Sequence, residues 1–146
     1  MSRLPLLIGD FGNRNGIESL RPDEQGRYHM VVDDSVQVQC FERFGQLYLV
    51  SPLGPVPEPV EEGQRWLQRL LNHALKRMKH SHGTPALDEE GNAVFFARYD
   101  IANLSVVDLE ARVSEHINVL ESYLDVVDAA APMQAAAGFA PSFLRP

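Results

Sequence analysis

The sequence predicts an α+β domain in which helices pack on a twisted antiparallel sheet, in the order helix–three strands–helix–two strands–helix. Three observations support this class. Apolar and polar residues alternate through 36–40, as they do in strands with one buried face. Segment 84–99 has two apolar runs on either side of a turn. Apolar residues recur every three or four positions in 66–78 and 106–127, as they do on helices.

The composition limits the class of protein. The chain has 146 residues, of which 45% are hydrophobic, and a net charge of −7. These values are typical of one soluble domain, and the acidic balance argues against binding to nucleic-acid phosphates. We expect one domain over residues 1–128 and a disordered Ala- and Pro-rich tail over 129–146. No secretory signal or membrane-spanning helix is predicted, so a cytoplasmic location without membrane insertion is expected.

The first half of the chain predicts a helix and a three-stranded meander. Leu4, Leu7, Ile8 and Phe11 share one face of a short helix. Strands are then expected at Tyr28–Val32, in the alternating segment after residue 35, and at Gln46–Val50, with Phe44-Gly45 turning the chain into the third. A rigid turn is expected over Pro52–Pro57.

The long helix that follows carries more apolar surface than one buried face needs. Leu67, Leu71, Ala74 and Met78 form one stripe, and Trp66, Leu70 and His73 form a second. Such a helix is either buried by its own domain or shared with another subunit. Because the chain has few other elements to cover both stripes, we favour sharing.

The last third predicts a hairpin and a closing helix. Val94 and Phe96 lie on one face of the second hairpin strand, and Phe95 and Tyr99 on the other, so both faces are apolar. A strand of this kind needs a helix on one face and another partner on the second. Ser105 and Asp108 predict a capping box that opens the final helix.

No catalytic, metal or cofactor site is predicted. Cys40 lies on the apolar face of its strand and is interpreted as a buried hydrophobe, which fits a reducing compartment. His80 and His82 lack further ligands, and His29 and His116 are isolated, so all four are interpreted as solvated side chains. A small enzyme that uses Asp10, His29 or His73 as acid or base is the alternative, but no nucleophile, base and orienting group are assembled.

The order and spacing of several short motifs resemble the class I type III secretion chaperones of Gram-negative bacteria, the Tir-chaperone or CesT-like family. The resemblance runs from about Leu6 to Val127. The motifs that carry it are Phe11-Gly12 with Gly16, Asp23-Glu24-Gln25-Gly26, Leu47-Tyr48-Leu49 leading into Pro52–Pro57, the Leu67–Asn72 helix segment, and Leu87-Asp88-Glu89-Glu90-Gly91. The Ala/Pro-rich tail and the basic segment Lys76–His82 depart from the family pattern.

The resemblance implies a secretion-chaperone-like fold and a non-enzymatic bacterial homodimer without a cofactor. Such a chaperone binds a segment near the N-terminus of a secreted effector, keeps it extended and soluble, and delivers it to the secretion ATPase. The alternative is an adaptor or regulatory module of the same fold that binds a non-effector protein.

Candidate binding residues follow from the resemblance and the apolar pattern. A groove between the first helix and the meander, with a second apolar site near the hairpin, is predicted to bind effector. The dimer interface is predicted on the long helix, backed by the hairpin. For each position an ordinary core role is the alternative. The effector candidates are Leu4, Leu7, Phe11, Tyr28, Met30, Leu47, Leu49, Phe95 and Tyr99, and the interface candidates are Trp66, Leu70, His73 and Leu87.

Overall fold

A computed structural model describes residues 3–17, 20–32, 36–80 and 82–129 of the chain. Within these residues the helices and strands follow the predicted order, and the α+β class is confirmed. Apart from Ala129, the predicted tail over 129–146 lies outside the described residues. The elements are α1 (Leu4–Arg14), β1 (Tyr28–Val32), β2 (Val36–Arg43), β3 (Gln46–Pro55), α2 (Val60–Arg77), β4 (Gly83–Leu87), β5 (Asn92–Asp100) and α3 (Val106–Ala129).

The strands form one antiparallel sheet in the order β1-β2-β3-β5-β4. The meander β1-β2-β3 and the β4-β5 hairpin are both confirmed, and pairing of β3 with β5 joins them. The buried side chains of the sheet all lie on one face, where the helices pack. The other face, which we call the open sheet face, carries no buried side chain among the described residues.

Two clusters of buried side chains lie between the helices and the sheet. The first is built by α1, the beginning of α3 and strands β1, β2, β3 and β5. The second is built by α2, the end of α3, and residues of β3 and β5 that include Leu53 and Phe95. Each helix therefore has an inner apolar face, which is the main source of its stability.

The predicted turn at Pro52–Pro57 is wrong, because β3 continues to Pro55. A bulge between Pro52 and Gly54 keeps this segment paired with β5, and Gly54 adopts a φ of +116°. The pairing of β2 with β3 stops at Val50. Pro52 and Pro55 therefore lie where β3 has a neighbour on one side only, and a missing N–H is tolerated at such an edge.

The interpretation of His116 as a solvated side chain is also wrong. Its position on α3, three residues after Val113 and four before Leu120, places it on the inner face. His116 is 1% exposed, and its Nε2 lies 2.9 Å from the Oγ of the buried Ser51. Burial lowers the pKa of His116 to about 4, because desolvation disfavours the charged imidazolium.

Local contacts at the helix ends agree with the sequence pattern. The capping box of α3 is confirmed, since the N–H of Asp108 donates to Ser105 Oγ at 3.1 Å and the N–H of Ser105 donates to Asp108 Oδ2 at 3.0 Å. The guanidinium of Arg14 donates two hydrogen bonds of 3.1 Å to Glu110, which ties the end of α1 to α3.

Cys40 is fully buried, as predicted, and burial raises the pKa of its thiol to about 12.

The tight turn between β2 and β3 places an aromatic residue in a left-handed conformation. Phe44 has a φ of +52° and Gly45 a φ of +74°, so both central residues lie in the region that a two-residue hairpin turn requires. Phe44 is 98% exposed and gains no packing that would offset the steric cost of this conformation.

We expect Phe44→Asn to raise the free energy of unfolding by about 1 kcal/mol, because asparagine tolerates the left-handed region and Asn-Gly is a preferred hairpin turn. Urea denaturation of the purified protein would measure the change. Phe44→Ala is the matched control, since it removes the ring but keeps the Cβ that causes the steric cost. Equal stability of the asparagine and alanine variants would contradict this account.

The buried His116 predicts a specific loss of stability in acid. Its pKa falls from an ordinary 6.5 to about 4 on folding, so the folded state is favoured above pH 6.5 and protonation favours the unfolded state below it. The associated stability is lost as the pH falls from 6.5 towards 4, to a total on the order of 3 kcal/mol. Urea denaturation at several pH values in this window should show a steeper loss for the wild-type protein than for His116→Gln. Parallel curves would contradict the prediction.

Candidate functional site

The described residues contain no assembled catalytic or metal-binding set. No group of three or more His, Cys, Asp or Glu side chains that could hold a metal is found among them. Asp10 is exposed on α1, His29 pairs with Asp23 on the surface, and His73 Nε2 lies 3.0 Å from Ser122 Oγ. The buried Ser51–His116 pair joins a hydroxyl to an imidazole, but a substrate cannot reach it.

The clearest features of the surface are apolar side chains that no other part of the described chain covers. The first set lies on the outer side of α2 and consists of Leu71, Leu75 and Met78, which are 59%, 68% and 64% exposed. Their spacing of four and three residues places them on one line, which we call the α2 stripe. Leu87 is also exposed, at the edge of the sheet, on the strand β4 that α2 contacts.

The second set is a row of aromatic side chains on the open sheet face. Phe41 and Tyr48 are paired across β2 and β3 and stack with their ring centres 5.2 Å apart. Tyr48 in turn lies 6.5 Å from Phe96 of β5. All three are only partly buried, because α1, α2 and α3 pack on the opposite face.

Arginines border this aromatic row. The guanidinium carbon of Arg27 lies 4.5 Å from the centre of the Phe41 ring, and that of Arg43 lies 5.9 Å from it. Arg98 of β5 is paired with Tyr48 of β3 and is exposed. The open sheet face is therefore both aromatic and positively charged, although the chain as a whole has a net charge of −7.

A hollow lies beside the row where β2 and β3 separate. Beyond the Gln39–Val50 pair these strands are no longer joined, and a space of about 290 Å³ opens between them. We call it the β2–β3 hollow. Its lining includes His29, Val31, Gln37, Val50, Pro52 and Val94.

A second hollow adjoins the edge strand β1. Apart from a bridge between Pro22 and Tyr28, β1 is paired within the described residues on one side only, with β2. A space of about 370 Å³ lies between this edge, the end of α1 and the side of α3. This β1 groove is lined by Phe11, Ile17, Val31, Val113, Ile117 and neighbouring polar residues.

The predicted effector-binding residues are brought together, but in the interior. All nine are at most 9% exposed, and their side chains pack against the chain's own core. Phe11 also lines the β1 groove, and Met30 lines the β2–β3 hollow. Effector contact by the nine residues stays a prediction. The buried set comprises Leu4, Leu7, Phe11, Tyr28, Met30, Leu47, Leu49, Phe95 and Tyr99.

The predicted interface residues divide between the core and the surface. Trp66 and Leu70 are 4% and 2% exposed and belong to the second cluster, where they hold α2 in place. His73 is half-buried, with its ring centre 4.7 Å from that of Tyr123. Leu87 is exposed. A role for these four residues in a dimer stays a prediction.

Sequence reasoning missed the aromatic row, although a signal for it was present. The period-two pattern that places Gln37 and Gln39 on one face continues to Phe41 and Arg43, and on β3 to Tyr48. Phe41, Arg43 and Tyr48 were not predicted to share one face of the sheet with these glutamines. The apolar second face of β5 and its pairing with β4 were predicted, but its pairing with β3 was not.

Comparison with known proteins identifies this arrangement. The family model of the Tir chaperone protein (CesT) family matches residues 6–124. A chain of the HopA1–SchA chaperone–effector complex is 20% identical, with a TM-score of 0.68, and the match covers 84% of this chain and 93% of that chain. A chain of the heterodimeric ExoU–SpcU complex, from the type III secretion system of Pseudomonas aeruginosa, is 16% identical, with a TM-score of 0.61 and coverage of 82% and 96%.

A protein with a different description has a similar fold. YbjN of E. coli, described as a candidate transcription regulator, is 11% identical, with a TM-score of 0.59 and coverage of 84% and 87%. At these identities the structural matches show the fold alone. No curated protein sequence matches the chain. Within the described part of the chain, no helix is both long and apolar enough to cross a membrane.

Proposed function

The chain belongs to the Tir chaperone (CesT) family, and from this premise we propose that it is a non-enzymatic homodimeric chaperone for a type III secretion effector. It binds a segment near the effector's N-terminus in the bacterial cytoplasm. The segment is held extended, so that the effector stays soluble and competent for delivery to the secretion ATPase.

The observation that carries this proposal is the uncovered apolar surface of the folded chain. The α2 stripe and the open sheet face both expose large apolar side chains, and contiguous apolar patches of this kind usually mark sites of protein–protein contact. The two surfaces differ in form. One is a line of aliphatic side chains on a helix, and the other is a sheet face with hollows beside it.

We assign self-association to the α2 stripe. Leu71, Leu75 and Met78 form a self-complementary line that a second copy of α2 could cover in a two-fold dimer. Leu87 would lie at the border of this contact. Trp66 and Leu70 would contribute to the dimer indirectly, because they hold α2 in position on the core.

We assign the effector's extended segment to the β1 edge. The side of β1 that is unpaired within the described residues can form backbone hydrogen bonds with an added strand, which gives affinity with little dependence on sequence. The β1 groove beside it offers a partly apolar site for alternate side chains of that strand, with Phe11 and Val113 in its lining. This assignment retains the predicted site between the first helix and the meander. The contact with the effector would lie at the edge of the first buried cluster.

The alternative is an adaptor or regulatory module that uses the same surfaces for a non-effector protein. The similarity to YbjN supports this alternative, because that protein has a similar fold and is described as a candidate transcription regulator. The two functions differ in the bound partner. A chaperone binds a secreted protein through the N-terminal region of that protein, whereas an adaptor does not.

We expect the double substitution Leu71→Glu and Leu75→Glu to convert the dimer to a folded monomer, because charges on both sides of a tight apolar contact repel and remain unpaired. Light scattering would measure the mass, and thermal unfolding would check the fold. Leu6→Glu is the matched control, since Leu6 is 71% exposed on α1, and this variant should stay dimeric. A wild-type monomer, or a dimeric double variant, would contradict the interface.

The chaperone function is tested by coexpression with secreted proteins encoded by neighbouring reading frames. We expect one of them to copurify with the chain and to gain solubility. Deletion of the N-terminal region of that protein should abolish copurification, whereas deletion of its C-terminal half should not. Binding that survives removal of the N-terminal region would support the adaptor function instead.

A further inference from the structure

We propose that the open sheet face binds an acidic segment of the client protein, with one large apolar side chain of that segment in the β2–β3 hollow. The inference rests on the proposed function in that it names the chemistry of a second contact with the same client. It concerns the face opposite the helices, not the β1 edge or the α2 stripe.

The shape of the open sheet face suits a side chain better than a small molecule. The β2–β3 hollow has a volume of about 290 Å³, at the lower limit of the ~300–1,000 Å³ typical of small-molecule pockets. Its walls are mainly aliphatic, with Val50, Pro52 and Val94 on one side and Val31 on the other. One leucine or phenylalanine side chain would fit such a space and would exclude water from it.

The charge of the open sheet face selects an acidic partner. Arg27, Arg43 and Arg98 border the aromatic row, and within the described residues none of them forms an ion pair. Two carboxylates near this face, those of Asp23 and Asp100, have partners other than these arginines. Asp23 Oδ2 lies 2.9 Å from His29 Nε2, and Asp100 accepts the N–H of Ala102 at 2.9 Å.

The arginine beside Phe41 supports the same conclusion. Arg27 is held against the ring at 4.5 Å, and its Nε is buried without a hydrogen-bond acceptor among the described residues. A guanidinium fixed in this way loses little side-chain freedom when a carboxylate binds to its remaining N–H groups. The stacked pair of Phe41 and Tyr48 provides a rigid apolar floor next to it.

Nucleic acid fits the open sheet face less well than an acidic peptide, although both would be attracted by arginines. Base stacking needs an aromatic ring with a free face. Phe41 is covered by Arg27 on one side and stacks on Tyr48, so the row is occupied by its own contacts. The net charge of −7 also opposes the approach of a phosphate backbone.

The test uses the full chain and a pair of labelled synthetic peptides. The first alternates glutamate and leucine around a central phenylalanine, and the second has lysine in place of every glutamate. Fluorescence anisotropy should show that the acidic peptide binds and the basic one does not, with binding weakened by added salt. Arg98→Glu and Arg43→Glu should each lower the affinity for the acidic peptide by about tenfold. Arg65→Glu, an exposed arginine of α2 with the same charge change, should leave the affinity unchanged.

Several outcomes would overturn the proposal. These are equal binding of both peptides, no binding of the acidic peptide, or equal effects of Arg65→Glu and Arg98→Glu. Binding of a single-stranded oligonucleotide that Arg98→Glu abolishes, without peptide binding, would assign the face to nucleic acid. A change of oligomeric mass in Arg98→Glu would assign it to a second copy of the chain. Thermal unfolding of each variant shows that the fold is retained.

The coexpression experiment separates this proposal from the proposed function. If a secreted protein copurifies through its N-terminal region while the peptide test fails, the chaperone function stands and the acidic contact is wrong. If the acidic peptide binds as expected and no secreted protein copurifies, the open sheet face is a binding surface of a different module.

Discussion

The pairing of β3 with β5 is the contact on which the rest of the structure depends. It runs from the Gln46–Asp100 pair to the Pro55–Asn92 pair and joins strands that are separated in sequence by the whole of α2 and β4. Without it the β4–β5 hairpin would be an isolated two-stranded sheet, which is marginally stable at best. With it, Leu47, Leu49 and Ala97 form the centre of one continuous buried face, at 0–2% exposure.

Covering that face uses all three helices, and within the described residues nothing packs on the opposite face. An antiparallel sheet exposes one face when the helices gather on the other. Here the partly buried side chains of the exposed face include three aromatic rings that shield one another, which limits the apolar surface that water contacts. The fold therefore buries one face of its sheet and still presents apolar surface on the other.

Periodicity predicted the elements and which residues share a face, but not which face the helices cover. Trp66 with Leu70 and Leu71 with Leu75 are adjacent stripes of α2, and the sequence alone does not rank them. The tertiary contacts decide, because Trp66 and Leu70 pack with Phe95 in the second cluster. His116 and Pro52–Pro57 were misjudged for a related reason. Composition favours a solvated histidine and a proline turn, whereas the inner position on α3 and the end of the β2–β3 ladder override both.

The α2 stripe and the open sheet face belong to opposite sides of the sheet, and this bears on how a client would be held. If copies associate through the α2 stripe, on the helix-covered side, the open sheet face of each copy remains accessible. A dimer then offers two arginine-bordered faces and two β1 edges to one chain. After the first segment of a client binds, the next binds at a high effective concentration, so weak individual contacts add to a strong total affinity. Release needs only that the segments detach one after another. A client held in this way can stay extended and still be handed on.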